Sequence, residues 1–417
     1  MVLSRPSVPF AYIRGGTSKA LFFHEKDIPA PGPKRDVFLR RVMGSPDPLQ
    51  IDGMGGSHIV TSKIAIIRPS EREEADVDYT FAQVGIGNDY IGYTGNCGNI
   101  SAGVGPFAID EGLVKQKRPG VSPDPGDVQT QQVRIYNTGT KKVLISHVPT
   151  DPETGLFPES GKFAIDGVPG TAAPILMDYS NVRRHQFPVF LFHARLVNEC
   201  KNELQVIGAA LNKGVIPTQH VTVECEIRGK RISYTICDVA NIIAFARAQD
   251  LGIVGNEPPS TLDKDTALIA RIKEVRGKAA QAVGMCEDWQ LVDEQSPMLP
   301  MVALVSPATS PECDVQSRLF LDNKCHTSMA GTGAICTAAC SRITGSVVNA
   351  VMAKVNLEEK STFRIQHPLG MMPIVVKTSP SQDQGSTPTF ESLSFIRTAR
   401  RIMDGRLYVP SDVLDCV

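Results

Sequence analysis

The sequence predicts an α+β protein of two similar halves, each a β-sheet packed on one buried central helix. Three observations carry this: the length, a strand–loop–helix segment that recurs, and two helical runs with no charged residue over their first two turns. At 417 residues the chain exceeds one ordinary core and suggests two domains of roughly 200 residues each. The segment Ser62–Ile67 has an echo at Pro300–Val305, and both read as buried strands. Further on in each half a Gly-rich loop opens into small residues, Gly95-Asn96-Cys97-Gly98-Asn99 in the first and Ala330-Gly331-Thr332-Gly333 in the second. Both matches fall at an offset of roughly 235 residues, the signature of an internal duplication.

Around these anchors the chain reads as short strands and turns. Phe10–Ile13, Ala20–Phe23, Val133–Tyr136, Lys142–Ser146, Val189–Phe192, Val221–Ile227, Arg231–Cys237 and Phe363–His367 are β-like runs punctuated by Gly, Pro and Asp. In the first helix Ile100, Ala102, Val104, Phe107 and Ala108 mix with Gly103 and Gly105. In the second, Ala334, Ile335, Ala338 and Ala339 mix with Thr337 and Ser341. A helix without a polar face is a buried helix. Gly112 and Gly345 stand where C-terminal caps are expected, giving about four turns each. Pro106 should kink the first helix or remove a hydrogen bond from it. Arg118–Asp127 and Pro380–Thr389 read as exposed loops, and the crossing between halves falls near Asp178 to Pro188.

Composition narrows the functional classes. With 42% hydrophobic and 21% charged residues, and 43 basic against 44 acidic, no charge bias points to nucleic acid or to a membrane surface. Ten scattered cysteines without a CxxC pair, and no signal peptide, read as reduced thiols in the cytoplasm. Cys336 and Cys340 lie one helical turn apart without a nearby His or second pair, so no metal site is expected. No apolar run reaches the roughly 18 residues a spanning helix needs.

The chemistry sits in the loops. Cys97 at the mouth of a buried helix is either a thiol activated by unpaired N–H groups, which also bind carboxylates, or a small core residue beside a turn. Arg14-Gly15-Gly16-Thr17-Ser18-Lys19 combines glycines that admit close approach, two hydroxyls and a guanidinium fork suited to a carboxylate; the alternative is a hairpin turn with solvated charges. It lacks P-loop spacing. Lys63 begins an apolar strand after Asp52-Gly53-Met54-Gly55-Gly56, so its amine is either drawn into a semi-buried site, where its pKa falls towards that of a useful base, or snorkels into water. His326 either donates to a carboxylate or is structural.

Taken together, several motifs resemble the PrpF family. They are Arg14–Lys19, Ile51–His58 continuing to Thr61-Ser62-Lys63, Gly95–Ile100 through Gly105–Ala108, Ile165–Thr171 and Gly331–Cys336. The resemblance spans nearly the whole chain. It implies a diaminopimelate epimerase-like fold: two similar domains, each a β-barrel-like sheet wrapped around a central helix, with the active site in the interdomain cleft. The domains then run 1–184 and 185–391, with the tail from about 392 to 417 packing back on the first. The activity implied is isomerisation of an unsaturated polycarboxylate without a cofactor, as in the family's 2-methylaconitate, methylitaconate, oxalomesaconate and aconitate isomerases.

Carried over by position, the family's lysine falls on Lys63, its cysteine on Cys97 and its hydroxyl-bearing loop on Thr17-Ser18. Two departures stand out. Epimerases of this fold need a second cysteine, but the second loop reads Ser328-Met329-Ala330-Gly331 and has none. Thr327 and Met301 stand where many members carry lysine, which bears on substrate more than on reaction class.

The expected reaction is a 1,3-allylic proton shift, or a cis-trans exchange, on an aconitate-type acid. Lys63 and Cys97 form an unlike acid–base pair, and Ser18 is an alternative to Cys97 in the relay. Arg14, Thr17, Asn96, Gly98, Asn99, His326, Gly331, Thr332 and Gly333 are the expected substrate-binding residues. The competing reading is a non-catalytic polycarboxylate-binding protein, with an oxalomesaconate-type tautomerase as the other alternative; the missing second cysteine disfavours a racemase. The expected partner is a small di- or tricarboxylate, with neither metal nor cofactor, and a homodimer is left open.

Overall fold

The duplication shows itself as a strand order that occurs twice. A computed structural model describes residues 6–123, 129–158, 160–180, 222–224, 231–352, 361–379, 389–410 and 413. Its contacts divide the chain into two units, Met1–Asp178 with Ile396–Val417, and Tyr179–Phe395.

In the first unit the strands are β1 (Ser7–Gly15), β2 (Ser18–His24), β3 (Lys63–Pro69), β4 (Val77–Val84), β5 (Ile91–Gly92), β6 (Thr130–Asn137), β7 (Lys142–Pro149) and β8 (Ile175–Asp178). Helix α1 (Pro33–Met43) lies between β2 and β3, and α2 (Gly98–Asp110) between β5 and β6. β1–β2 is antiparallel, β2–β3 parallel, β3–β4 and β4–β5 antiparallel, β4–β6 parallel, and β6–β7 and β7–β8 antiparallel.

The second unit repeats this with β9 (Thr222–Glu224), β10 (Arg231–Val239), β11 (Asn241–Arg247), β12 (Met301–Pro307), β13 (Val315–Leu321), β14 (Lys324–Cys325), β15 (Thr362–His367), β16 (Gly370–Ser379) and β17 (Thr389–Arg397). Its helices are α3 (Pro259–Leu262), α4 (Thr266–Ala282), α5 (Val292–Gln295), α6 (Gly331–Ser341) and α7 (Val347–Val351). Strands β10 to β17 pair with the same succession of directions as β1 to β8. The chain then returns to the first unit as β18 (Ala399–Tyr408), antiparallel to β1 as β9 is to β10. The strand runs expected at Val189–Phe192 and over most of Val221–Ile227 lie outside the described residues, as does the loop from 380 to 388.

Both predicted helices are buried. Gly98 to Ala108 of α2 and all of α6 are inaccessible, and α2 lies against β1, β2, β3, β6, β7 and β18. Gly103 explains the closeness of this packing, because a Cβ there would come within 2.9 Å of the Phe22 ring. α2 runs unbroken through Pro106 to Asp110, so the proline withholds a donor without ending the helix. Gly112 closes α2 as expected, with φ 65° and its N–H bonded to the Ile109 carbonyl at 3.0 Å. Gly345 does not close α6: that helix ends at Ser341 with Arg342 as its cap, about three turns rather than four, and Gly345 turns the chain towards α7.

The sheet of the first unit has two distinct faces. Alternation along β3 and β4 puts Ile64, Ile66, Ala82 and Val84 in a core with Phe38, Leu39, Val42 and Met43 of α1. It leaves Lys63, Phe81 and Gln83 on the opposite face.

Candidate active site

Lys63 opens β3, opposite Gln83 at the end of β4. Its side chain is buried at 4% exposure, its Nζ donates to Gln83 Oε1, and it lies 5.2 Å from the centroid of the Phe81 ring. Burial pulls the Lys63 pKa below the ordinary lysine value, and the charge of a Cys97 thiolate acts the other way. Among the described residues no carboxylate pairs with Lys63. The amine and the thiol named from the sequence therefore lie within electrostatic reach of each other.

Cys97 is the N-cap of α2, in extended conformation, and its thiol makes no capping bond, while its carbonyl accepts from the Ser101 N–H at 2.8 Å. The first turn of α2 carries no acidic side chain, so the helix dipole is uncompensated there. Asn96 supports the approach to the helix: its Oδ1 accepts from Ser101 Oγ at 2.8 Å and from Asn137 Nδ2 at 3.2 Å.

The turn between β1 and β2 is locked against the same helix. Asn99 Nδ2 donates to Thr17 Oγ1 at 3.1 Å, and Asn99 Oδ1 accepts from Arg397 Nε at 3.0 Å. Gly16 takes φ 51°, and a Cβ there would stand 2.2 Å from Asn99 Oδ1, so both conformation and space require glycine. Arg14 is engaged by the protein itself. Its Nη1 donates to the carbonyls of Gly16 and Thr398, both at 2.9 Å, and to Thr398 Oγ1 at 3.1 Å. Ser18 is different: its hydroxyl is buried at the start of β2 and has no hydrogen-bond partner among the described residues. Buried hydroxyls normally find one.

The second unit carries the same scaffold with other side chains. Asn241 Nδ2 donates to Thr332 Oγ1 at 3.0 Å, joining the start of β11 to the second residue of α6. This is the Thr17–Asn99 clasp with donor and acceptor exchanged between turn and helix. His326 is buried, and its Nδ1 accepts from the Ser328 N–H at 3.1 Å, which leaves Nε2 as the donor of the neutral ring. Gly331 and Gly333 lie in the first turn of α6, whose N-cap is Ala330. Where the first unit has Lys63 and Cys97, the second has Met301 and Ala330.

Two residues of this arrangement escaped the sequence reading. Gln83 interrupts an otherwise largely apolar strand end, a signal visible in Val77–Val84. Arg397 meets Asn99 from almost 300 residues away, and nothing local marks it. A cavity of about 590 Å³ lies on the α1 face of the sheet, between Arg35, Asp36 and Tyr93 on one side and Arg68 and Asp78 on the other. None of the expected site residues lines it.

The PrpF protein family model matches residues 6–190 and 199–410. The 3-methylitaconate isomerase of Eubacterium barkeri is 38% identical over 414 residues, covering 96% of this chain and 97% of its own. The 2-methyl-aconitate isomerase of Shewanella oneidensis is 32% identical, covering 97% of each chain. The crystal structure of a methylitaconate-delta-isomerase superposes with a TM-score of 0.69 at 37% identity, over 98% of this chain and 97% of that one. The expected fold class, two similar sheet-and-helix halves, is thus shared with a solved relative. On the match along its length, the chain belongs to the PrpF family.

Proposed function

We infer that this isomerase moves a C=C bond in an aconitate-type unsaturated di- or tricarboxylate by a 1,3-allylic proton shift, using Lys63 and Cys97 as unlike proton-transfer groups. The observation that carries this reading is the buried Lys63 amine, held by Gln83, unpaired with any carboxylate among the described residues and close enough to Cys97 for the charge of its thiolate to act on it. Burial favours a neutral amine, the form that accepts a proton. The Cys97 thiol, at the N-cap of α2, is the second proton-transfer group. One group takes a proton from the carbon at one end of the allyl unit, and charge delocalises into the adjoining carboxylate. The other group then delivers a proton at the far end.

Within each unit the helix mouth is assigned a carboxylate-binding role, carried by Gly98 and Asn99 at α2 and by Gly331, Thr332 and Gly333 with His326 at α6. Ser18 Oγ, buried without a partner among the described residues, is assigned a hydrogen bond to substrate. Arg14, Thr17 and Asn96 are assigned to shaping these loops, since each bonds the protein's own groups. A matched cysteine pair is not available, because the α6 N-cap is Ala330. The names of the two curated relatives, one a methylitaconate and one a methyl-aconitate isomerase, support this substrate class.

The test is an NMR time course of the purified protein in deuterated buffer with a panel of methylitaconate, aconitate, methylaconitate and oxalomesaconate. The reading expects one member to convert to a new isomer that carries solvent deuterium. Binding shifts without conversion of any member overturn it in favour of a polycarboxylate-binding protein.

A further inference from the structure

We propose that Gln83 is the positioning residue of this site, holding Lys63 Nζ at the end of the sheet and favouring its protonated form. This rests on the reading of Lys63 as a proton-transfer group. Gln83 is buried at 4% exposure, and its amide cannot turn over. Nε2 donates to the Ser62 carbonyl at 2.9 Å and to the Ile59 carbonyl at 3.2 Å, both in the segment immediately before Lys63. A flipped amide would lose both bonds and set its oxygen against two carbonyl oxygens. Oε1 is therefore held towards Lys63, where it accepts from Nζ. A carbonyl oxygen facing an amine bonds the charged form more strongly than the neutral one, and so opposes the effect of burial.

The surroundings leave this role to Gln83. Among the described residues the titratable group that acts on Lys63 is Cys97, the N-cap of α2; β4 contributes the neutral Gln83 and the Phe81 ring. Lys19 of β2 is turned to the Tyr12 ring, 5.3 Å from its centroid. The duplicated half supplies an independent comparison. One step beyond the Val302–Phe320 pair, the β12–β13 ladder brings Leu321 opposite Met301. Where the lysine is missing the amide is missing too, so this fold does not need a polar residue at that register for its own stability.

The test compares the pH profile of kcat/KM in Gln83→Leu and Gln83→Glu with the wild type, with thermal melting as the check on folding. Gln83→Glu adds a charge beside the amine and should move the limb belonging to Lys63 to higher pH by about one to three units. Gln83→Leu removes the acceptor and should move the same limb to lower pH. Opposite shifts in two folded variants are not produced by a merely structural residue. If Gln83→Leu fails to fold, the upward shift in Gln83→Glu decides the matter. Profiles that coincide with the wild type, with Lys63→Met inactive, overturn the role of Gln83 alone. A fully active Lys63→Met overturns the underlying reading and this proposal with it.

Discussion

Replacing Lys63 by methionine separates chemistry from folding, because the duplicated half already carries Met301 at the equivalent place in its own sheet. The substitution keeps most of the side-chain volume and removes Nζ. It leaves Gln83 Oε1 buried without its donor, at a cost of about 1–3 kcal/mol. It also removes the need to bury an amine, which offsets part of that cost. The net change should stay within about 2 kcal/mol, small against the 5–15 kcal/mol of a typical domain. For a unit of this size that lowers Tm by at most about 8 °C. The rate, by contrast, should fall by about 10²–10⁴-fold, the usual contribution of one positioned acid or base. Calorimetry and an NMR rate on the substrate identified from the panel measure both. A folded Lys63→Met variant within threefold of the wild-type rate refutes the assignment.

Two further outcomes follow from the first unit. Asn99→Ala breaks the charge-assisted bond to Arg397, about 1.5–3 kcal/mol, and the neutral bond to Thr17, about 0.5–1.5 kcal/mol. A drop in Tm of roughly 10 °C is expected in calorimetry, and an unchanged melt contradicts the clasp. Asp76 titrates below the ordinary carboxylate value: burial pushes it up, but bonds from the side chain and N–H of Arg134 and from Arg118 outweigh that. Its contribution is complete above the unfolded pKa of about 3.9 and is lost as pH falls through the lower folded value. Asp76→Asn should therefore destabilise at neutral pH and flatten the acid limb of denaturant-measured stability; an acid limb parallel to the wild type's contradicts this.

What could be read from the sequence was whatever repeats locally or carries a period. The two uncharged helices, the strand beginning at Lys63 and its echo at Met301, and the glycine turns were legible because burial excludes charge and tight turns select glycine. The end of α6 was misread because Gly345 resembles a cap yet serves the next turn. Arg397 was out of reach, since it stands 298 residues from Asn99, in the last segment of the chain that returns to the first unit. Arg14 was legible as a fork for an anion but not as one turned on Gly16 and Thr398, because Thr398, whose carbonyl and hydroxyl it binds, lies at the other end of the chain. Gln83 gave a sequence signal, a polar residue at a buried strand position, whose meaning depended on knowing that Lys63 lies across the ladder.

The central claim is that Lys63 and Cys97 serve different carbons of one allyl unit. Position-resolved deuterium exchange into unconverted substrate, measured side by side in Lys63→Met and Cys97→Ala, tests it most directly. The variant that keeps the base should still exchange the substrate's own donor position with solvent, the variant that has lost it should not, and neither should form product at an appreciable rate. Conversion by either folded variant at the wild-type rate, or full exchange in both, contradicts the unlike pair.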